Sequence, residues 1–414
     1  MFALRWSVAI LLISILALQS SVSHLDAAEA GANPMTYGEA RDFLTKYTKV
    51  IELTDSGGGR VAICPDYQGR VMTSTCGGLE GKSFGWIGKS FIEKGKPDAH
   101  FNNYGGEDRF WLGPEGGQFS LWFAPAAKQN LANWLTPPAL NDGAFKVATG
   151  DTDPAYHLTR RMQFRNASKT QFDLEVKRDV RLLDAEKFGN FFGAEARKAL
   201  ESGSLKSIGF QTANTITNRG APMTKAKGLV AIWSLGQFPP GPETQILVPY
   251  KALPKTAKTP VVKSDYFGPV PKDRLVVGND AVRFRGDGNY RSKIGISRER
   301  AKPVAGSIDR AAGVLTLVHF TMPEDPTKYP YVNNAWNLPQ KQPFVGDVFN
   351  SYNDGPPEPG KPALGGFYEL ESLSPAAELA TGKSLTHVQS IFHVEGSVAD
   401  LESVAKAALG IEKF

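Results

Sequence analysis

The clearest capacity for chemistry lies in two glutamates spaced two apart, Glu369 and Glu371, within Phe367-Tyr368-Glu369-Leu370-Glu371-Ser372-Leu373-Ser374-Pro375. Side chains on a strand alternate between its faces, so both carboxylates share one face. In a cleft, such a pair separates into one carboxyl of raised pKa and one ordinary carboxylate, an acid beside a base. On a solvated face, with Tyr368 and Leu370 inward, it does neither. Just upstream, Gly346 to Gly355 adds Asn353 and Asp354. A second constellation, Phe101 to Gly117, sets Glu107, Asp108, Arg109 and Glu115 among glycines and the aromatics Phe101, Tyr104, Phe110 and Trp111. Aromatic faces stack on the C–H faces of a sugar ring while carboxylates and guanidinium bind its hydroxyls, so this loop suits a carbohydrate. It equally suits a buried ion pair, Glu107 or Asp108 with Arg109, pinning a tight loop to the core. A third segment, Asp287 to Gly295, opens on an Asp-Gly turn signal and puts Arg291 and Lys293 on one face of a short strand. There they either meet a sugar acid or the carboxylates above, or are plain surface charge.

Other chemistries lack their residues. There is no HExxH, no GxxxxGK[ST], no GxGxxG and no CxxC pair, which disfavours zinc peptidases and nucleotide enzymes of the usual types. The one GxSxG, Gly81 to Gly85, lacks the preceding strand and following helix of a nucleophile elbow and reads as a chance match in a chain with 42 glycines. The histidines show no i,i+4 spacing, and His387 and His393 lie ~20 Å apart along a strand, too far for one metal. No metal and no cofactor is expected. The 47 Lys and Arg against 42 Asp and Glu leave a charge of +5 that is gathered into no basic run, which argues against nucleic acid as a partner.

These residues need a scaffold, and the pattern points to β-sheet. Period-two alternation or short β-branched and aromatic runs mark Arg60–Ile63, Gln118–Phe123, Tyr156–Phe164, Phe172–Leu183, Gly228–Leu235, Thr244–Val248, Gly313–Phe320, Phe367–Leu373 and Thr386–Val394. Strands follow strands without intervening helices, so a largely antiparallel, all-β protein with a few peripheral helices is expected. Those helices begin at a capping box on Thr36 with Phe43, Leu44, Tyr47 and Ile51 in register, at Asp184 to Glu201, and at Ser397, with Val398, Leu401 and Leu409 facing the core. Residues 254–271 and 355–362 read as long loops.

At the start, Arg5 precedes an apolar stretch from Val8 to Leu18, then small residues, which reads as a signal peptide over residues 1–30 cleaved after Ser23 or Ala30. The stretch is too short to span a membrane. The expected location is periplasmic or extracellular, with 31–414 as one domain. Cys64 and Cys76 would meet an oxidising space, but a hairpin turning at 65–69 sets Cys64 opposite Arg70 and leaves Cys76 ~20 Å further along, so buried free thiols are expected.

Taken together, the segments at 69–74, 83–86, 105–117, 287–295, 351–355 and 367–375 resemble the galactose mutarotase-like superfamily, and more closely a family of secreted bacterial proteins within it. The resemblance spans about residues 60–396 and implies a β-supersandwich whose concave sheet binds a mono- or oligosaccharide. It implies Glu371 as the base on an anomeric hydroxyl, with Arg109, Lys293, Arg291, Glu107, Asp108, Asn353, Asp354, Glu369, His387, Trp111 and Trp86 lining the sugar. Mutarotation needs an acid as well as a base. The epimerases' His-Gly-Gly is matched here by Tyr104-Gly105-Gly106, making Tyr104 the expected weak acid, and Asn218 stands near the second histidine's place. Isomerase chemistry of the aldose 1-epimerase type follows. The alternatives are a non-catalytic glycan-binding protein and a polysaccharide lyase or hydrolase on the same fold.

Overall fold

Alternating apolar residues need two layers to bury them, and the chain supplies two large antiparallel sheets. The computed structural model describes residues 35–149, 155–202, 204–254 and 256–414; the expected export segment and both its cleavage positions lie outside the described residues. Residues Asn33–Phe414 form one compact unit. The strands are β1 Ile51–Thr54, β2 Arg60–Cys64, β3 Arg70–Thr75, β4 Arg109–Gly113, β5 Lys146–Thr149 and β6 Ala155–Arg165. Then come β7 Gln171–Leu183, β8 Lys206–Asn218, β9 Ala231–Phe238, β10 Gln245–Pro249, β11 Leu275–Val277 and β12 Ala281–Arg285. The last are β13 Ser292–Ser297, β14 Val304–Asp309, β15 Val314–Phe320, β16 Asp347–Asn353, β17 Tyr368–Leu373 and β18 Ser384–Glu395. Helices are α1 Tyr37–Thr45, α2 Lys89–Lys94, α3 Pro138–Asn141, α4 Ala185–Phe192, α5 Ala194–Ser202 and α6 Val398–Leu409. Among the described residues no helix is long and apolar enough to cross a membrane.

Ten strands make one sheet in the order β11-β12-β10-β14-β15-β18-β8-β7-β6-β5, five make the second in the order β13-β16-β17-β9-β4, and β1-β2-β3 form a small third. The core fills the space between the two large sheets, with Phe349, Phe210, Ile216, Leu370 and Val318 fully or almost fully buried. On the outer face of the ten-stranded sheet, Leu247, Ile308, Leu317 and Phe392 pack against Phe188, Ala196 and Leu401 of α4 to α6.

The helix and turn expectations need correction at several points. The capping box forms at Thr36, with its Oγ1 accepting from Glu39 N–H, but α1 stops at Thr45; Tyr47 is exposed and Ile51 opens β1 instead. The helix expected over 184–201 is two, broken at Gly193, whose φ of 92° no L side chain adopts readily. In α6, Leu401 and Leu409 are buried as the spacing requires, while Val398 in the first turn is exposed. Gln118–Phe123 is no strand: Ser120 Oγ accepts from the Trp122 and Phe123 backbone N–H groups and folds the segment into turns. The hairpin at 65–69 forms as read, Cys64 pairs with Arg70, and both cysteines are buried and free.

Candidate functional site

The five-stranded sheet has one face toward the ten-stranded sheet and one away from it. Strand register decides which residues share the far face. Arg109 pairs with Leu235, which pairs with Glu371, which pairs with Asn350, which pairs with Gly295. One step along, Gln237 pairs with Glu369, Glu369 with Tyr352 and Tyr352 with Lys293. Residues directly opposite in antiparallel strands point the same way. Glu369, Glu371, Arg109 and Lys293 therefore converge, although about 260 residues separate the first from Arg109.

Arg109 Nη2 donates to Glu369 Oε1 at 2.6 Å. Lys293 Nζ and Trp233 Nε1 both donate to Glu371 Oε2, each at 3.0 Å. The Arg109 guanidinium stacks over Trp111, 4.2 Å from its ring centre, and Lys293 Nζ sits 4.8 Å from the centre of Trp233. Trp134 Nε1 donates to Glu115 Oε1 at 2.8 Å, beside Lys293. Beyond β16, Tyr266 OH donates to Asp347 and accepts from Asn350 Nδ2.

Charge here is held at a cost. Burial pushes the Glu369 carboxyl up to about 8, with the neighbouring Glu371 adding to the rise and Arg109 opposing it. Burial likewise lowers Arg109 against the pull of Glu369 and Glu371, and raises Glu115 against the pull of Lys293. Burial works against the Lys293 ammonium too, but Glu371 and Glu115 more than offset it and hold it above the usual lysine range.

The far face also leaves polar atoms without partners. Arg109 Nε and Nη1, Trp111 Nε1, Gln237 Oε1, Asn350 Oδ1 and Glu371 Oε1 are buried and find no hydrogen bond within the protein. Leaving such a group unpaired costs roughly 1–3 kcal/mol, so this face carries hydrogen-bonding capacity that the protein itself does not meet. Among the described residues no cluster of ligating side chains is placed to hold a metal ion.

The other expected site residues go elsewhere. Asp108, one position from Arg109, points to the opposite face and pairs with Arg178, while its Oδ2 accepts from Thr212 Oγ1 at 3.1 Å and Gln389 Nε2 at 3.0 Å. Glu107 Oε2 meets His393 Nε2 at 2.6 Å and Ser74 Oγ at 3.0 Å. His387 lies between the sheets against Ser372 and Thr321, and burial pushes it down to about 3. Tyr104 stacks on Tyr67 at 4.0 Å in the cluster beneath α1 with Cys64 and Met72, so the expected Tyr104–Glu371 pairing does not form. Asn353 ties down the turn before β13 through Gly288 N–H and Tyr290 O. Asp354 accepts from Tyr352 OH and from the Gly365 and Gly366 N–H groups, which fixes a loop. Arg291 lies 3.6 Å over the Phe267 ring, and Trp86 packs on Phe367. Trp233, Gln237, Asn350 and Tyr266 were not singled out from sequence; only strand pairing brings them beside the glutamates.

Solved structures with related backbones were found at low identity. A protein from Synechocystis sp. PCC 6803 is 11% identical with a TM-score of 0.46, over 84% of this chain and 96% of that one. An Escherichia coli K12 protein with a provisional aldose 1-epimerase assignment is 12% identical with a TM-score of 0.44, over 84% and 99%. A Salmonella typhimurium protein with a provisional mutarotase assignment is 11% identical with a TM-score of 0.40, over 84% and 90%. At these scores the likenesses carry no activity to this chain. No curated protein matches the sequence. A family model does, over residues 35–413, nearly the whole described chain, and the protein accordingly belongs to the family of unknown function DUF6786.

Proposed function

We propose that the protein is a secreted carbohydrate-binding protein whose sugar site is the far face of the five-stranded sheet, with Glu371 as a general base of the aldose 1-epimerase type. The observation that carries this reading is the cluster of orphaned donors and acceptors around Arg109, Trp111, Gln237 and Glu371. A pyranose offers hydroxyls to satisfy both kinds. Export rests on the N-terminal sequence pattern, and mass spectrometry of the secreted form should find the mature chain starting after Ser23 or Ala30. An intact Met1 in the cytoplasm would refute it.

Thermal unfolding with a panel of mono- and oligosaccharides tests the site. At least one sugar should raise the Tm of the wild-type chain, and Trp111→Ala should abolish the rise; no shift from any sugar would refute the reading. Glu371→Gln should leave that rise largely in place while cutting anomer interconversion by ~10² or more. The non-catalytic alternative is favoured by one observation, the packing of Tyr104 far from any contact with Glu371. It predicts sugar-dependent stabilisation with no interconversion above background.

A further inference from the structure

We propose, resting on the sugar-site reading above, that Glu369 and Glu371 act as a carboxyl–carboxylate dyad sharing one proton, so that a single strand face supplies both the acid and the base. The geometry is that of β17. The two side chains leave the same face two residues apart and lie within hydrogen-bonding reach of each other. Glu371 Oε2 is occupied by Lys293 and Trp233, and Glu369 Oε1 by Arg109, while Glu371 Oε1 has no donor. A proton on Glu369 gives that orphan oxygen one. Two buried carboxyls in contact do not both ionise readily. The charged and titratable groups facing the pair are Arg109 from β4, Lys293 from β13, Tyr352 from β16, Tyr266 from the loop before β11 and Glu115 after β4. Arg109 and Lys293 favour ionisation; burial and mutual repulsion keep one proton in place.

The proton count then closes. The anomeric hydroxyl gives its proton to Glu371 Oε1, the bond from the anomeric carbon to the ring oxygen breaks, the ring oxygen takes the proton of Glu369, and a carbonyl forms at the anomeric carbon. One proton is still held, now by Glu371. Rotation of the carbonyl and the reverse transfer close the ring as the other anomer and reset the pair. No co-reactant is consumed.

The test uses the wild-type full chain with D-glucose and D-galactose as probes, following interconversion by polarimetry and binding by thermal shift. The wild type should speed interconversion, with activity falling as pH rises through about 8, where Glu369 loses its proton. E369Q and E371Q should each lose ~10² or more, and the double variant no more than the worse single, because both break one relay. Carboxyl 13C NMR of the wild type, which needs no variant to fold, should show two glutamates titrating in coupled steps, one far above the rest. An E369Q chain with wild-type rate, a double loss equal to the product of the singles, a wild type that binds without catalysis, or two ordinary titrations each overturn the dyad while leaving the sugar site standing. A wild type that is stabilised by neither probe nor by any other sugar of the panel removes the dyad's substrate and overturns both.

Discussion

The two faces of the five-stranded sheet are both lined with buried charge, yet they solve the problem differently. Toward the ten-stranded sheet, Arg178 is spent completely: Nε on Gly69 O, Nη1 on Asn214 Oδ1 and Nη2 on Asp108. Asn214 passes on to Ser234, and Ser372 joins His387 to Gln389. Of Arg178, Asp108, Glu107 and His393, Glu107 alone keeps an atom, Oε1, without a partner, with Arg70 Nε orphaned beside them. On the far face, Arg109 keeps two of its three nitrogens unpaired and Glu371 keeps an oxygen. A saturated network holds a fold together, whereas the unsaturated one of similar burial is where the proposed sugar site lies.

The largest expected difference is in stability. Asp108→Ala strands Arg178, fully buried, without a counter-charge and should cost about 3–5 kcal/mol in denaturant unfolding. A loss under about 1 kcal/mol, of the size of a single ordinary hydrogen bond, would break the contrast.

Next comes pH, where the faces differ in sign. His387 titrates at about 3 in the folded chain because it is buried, against ~6.5 unfolded. Its contribution is present above pH ~6.5 and is lost as pH falls toward 3, by roughly 1.4 kcal/mol per unit. Glu369 is raised to about 8, so its contribution is present at ~4 and is lost as pH rises toward 8. Because Arg109 opposes it, the alkaline effect should be the smaller. His387→Gln should flatten the acid limb and Glu369→Gln the alkaline limb; if either variant flattens the other's limb, the assignment fails.

The smallest effect is expected at Glu371. In Glu371→Gln the buried Lys293 ammonium loses its nearest counter-charge, but the amide oxygen still accepts from Lys293 and Trp233 and Glu115 remains beside the ammonium, so the loss should stay below the roughly 3–5 kcal/mol of a fully broken buried pair. Unfolding on that substitution would make Glu371 a structural anchor.

The glutamate pair was legible because two-residue spacing on a strand fixes its face without knowledge of the fold, and the same reasoning put Lys293 on a strand able to meet it. Alternation also marked β6, β7, β15 and β18. It failed for β8, whose inward residues include Thr212, Asn214 and Asn218. A polar interior has the same pattern as a solvated exterior. Glu107, Asp108 and Arg109 looked like one constellation, but β4 sends Asp108 and Arg109 to opposite faces. Trp233 and Gln237 became site residues only through register across β9 and β17, which local sequence does not carry.

The two buried thiols make the molecule its own reporter of opening. Cys64 is wholly buried and Cys76 is 5% exposed, and burial raises both thiols and starves them of thiolate. Alkylation therefore waits for the structure to part. Cys64 sits in the cluster under α1, and Cys76 at the end of β3 donates to Glu395 of β18. Their two labelling rates are separate clocks, one for release of the α1 cap and one for separation of the small sheet from the large one.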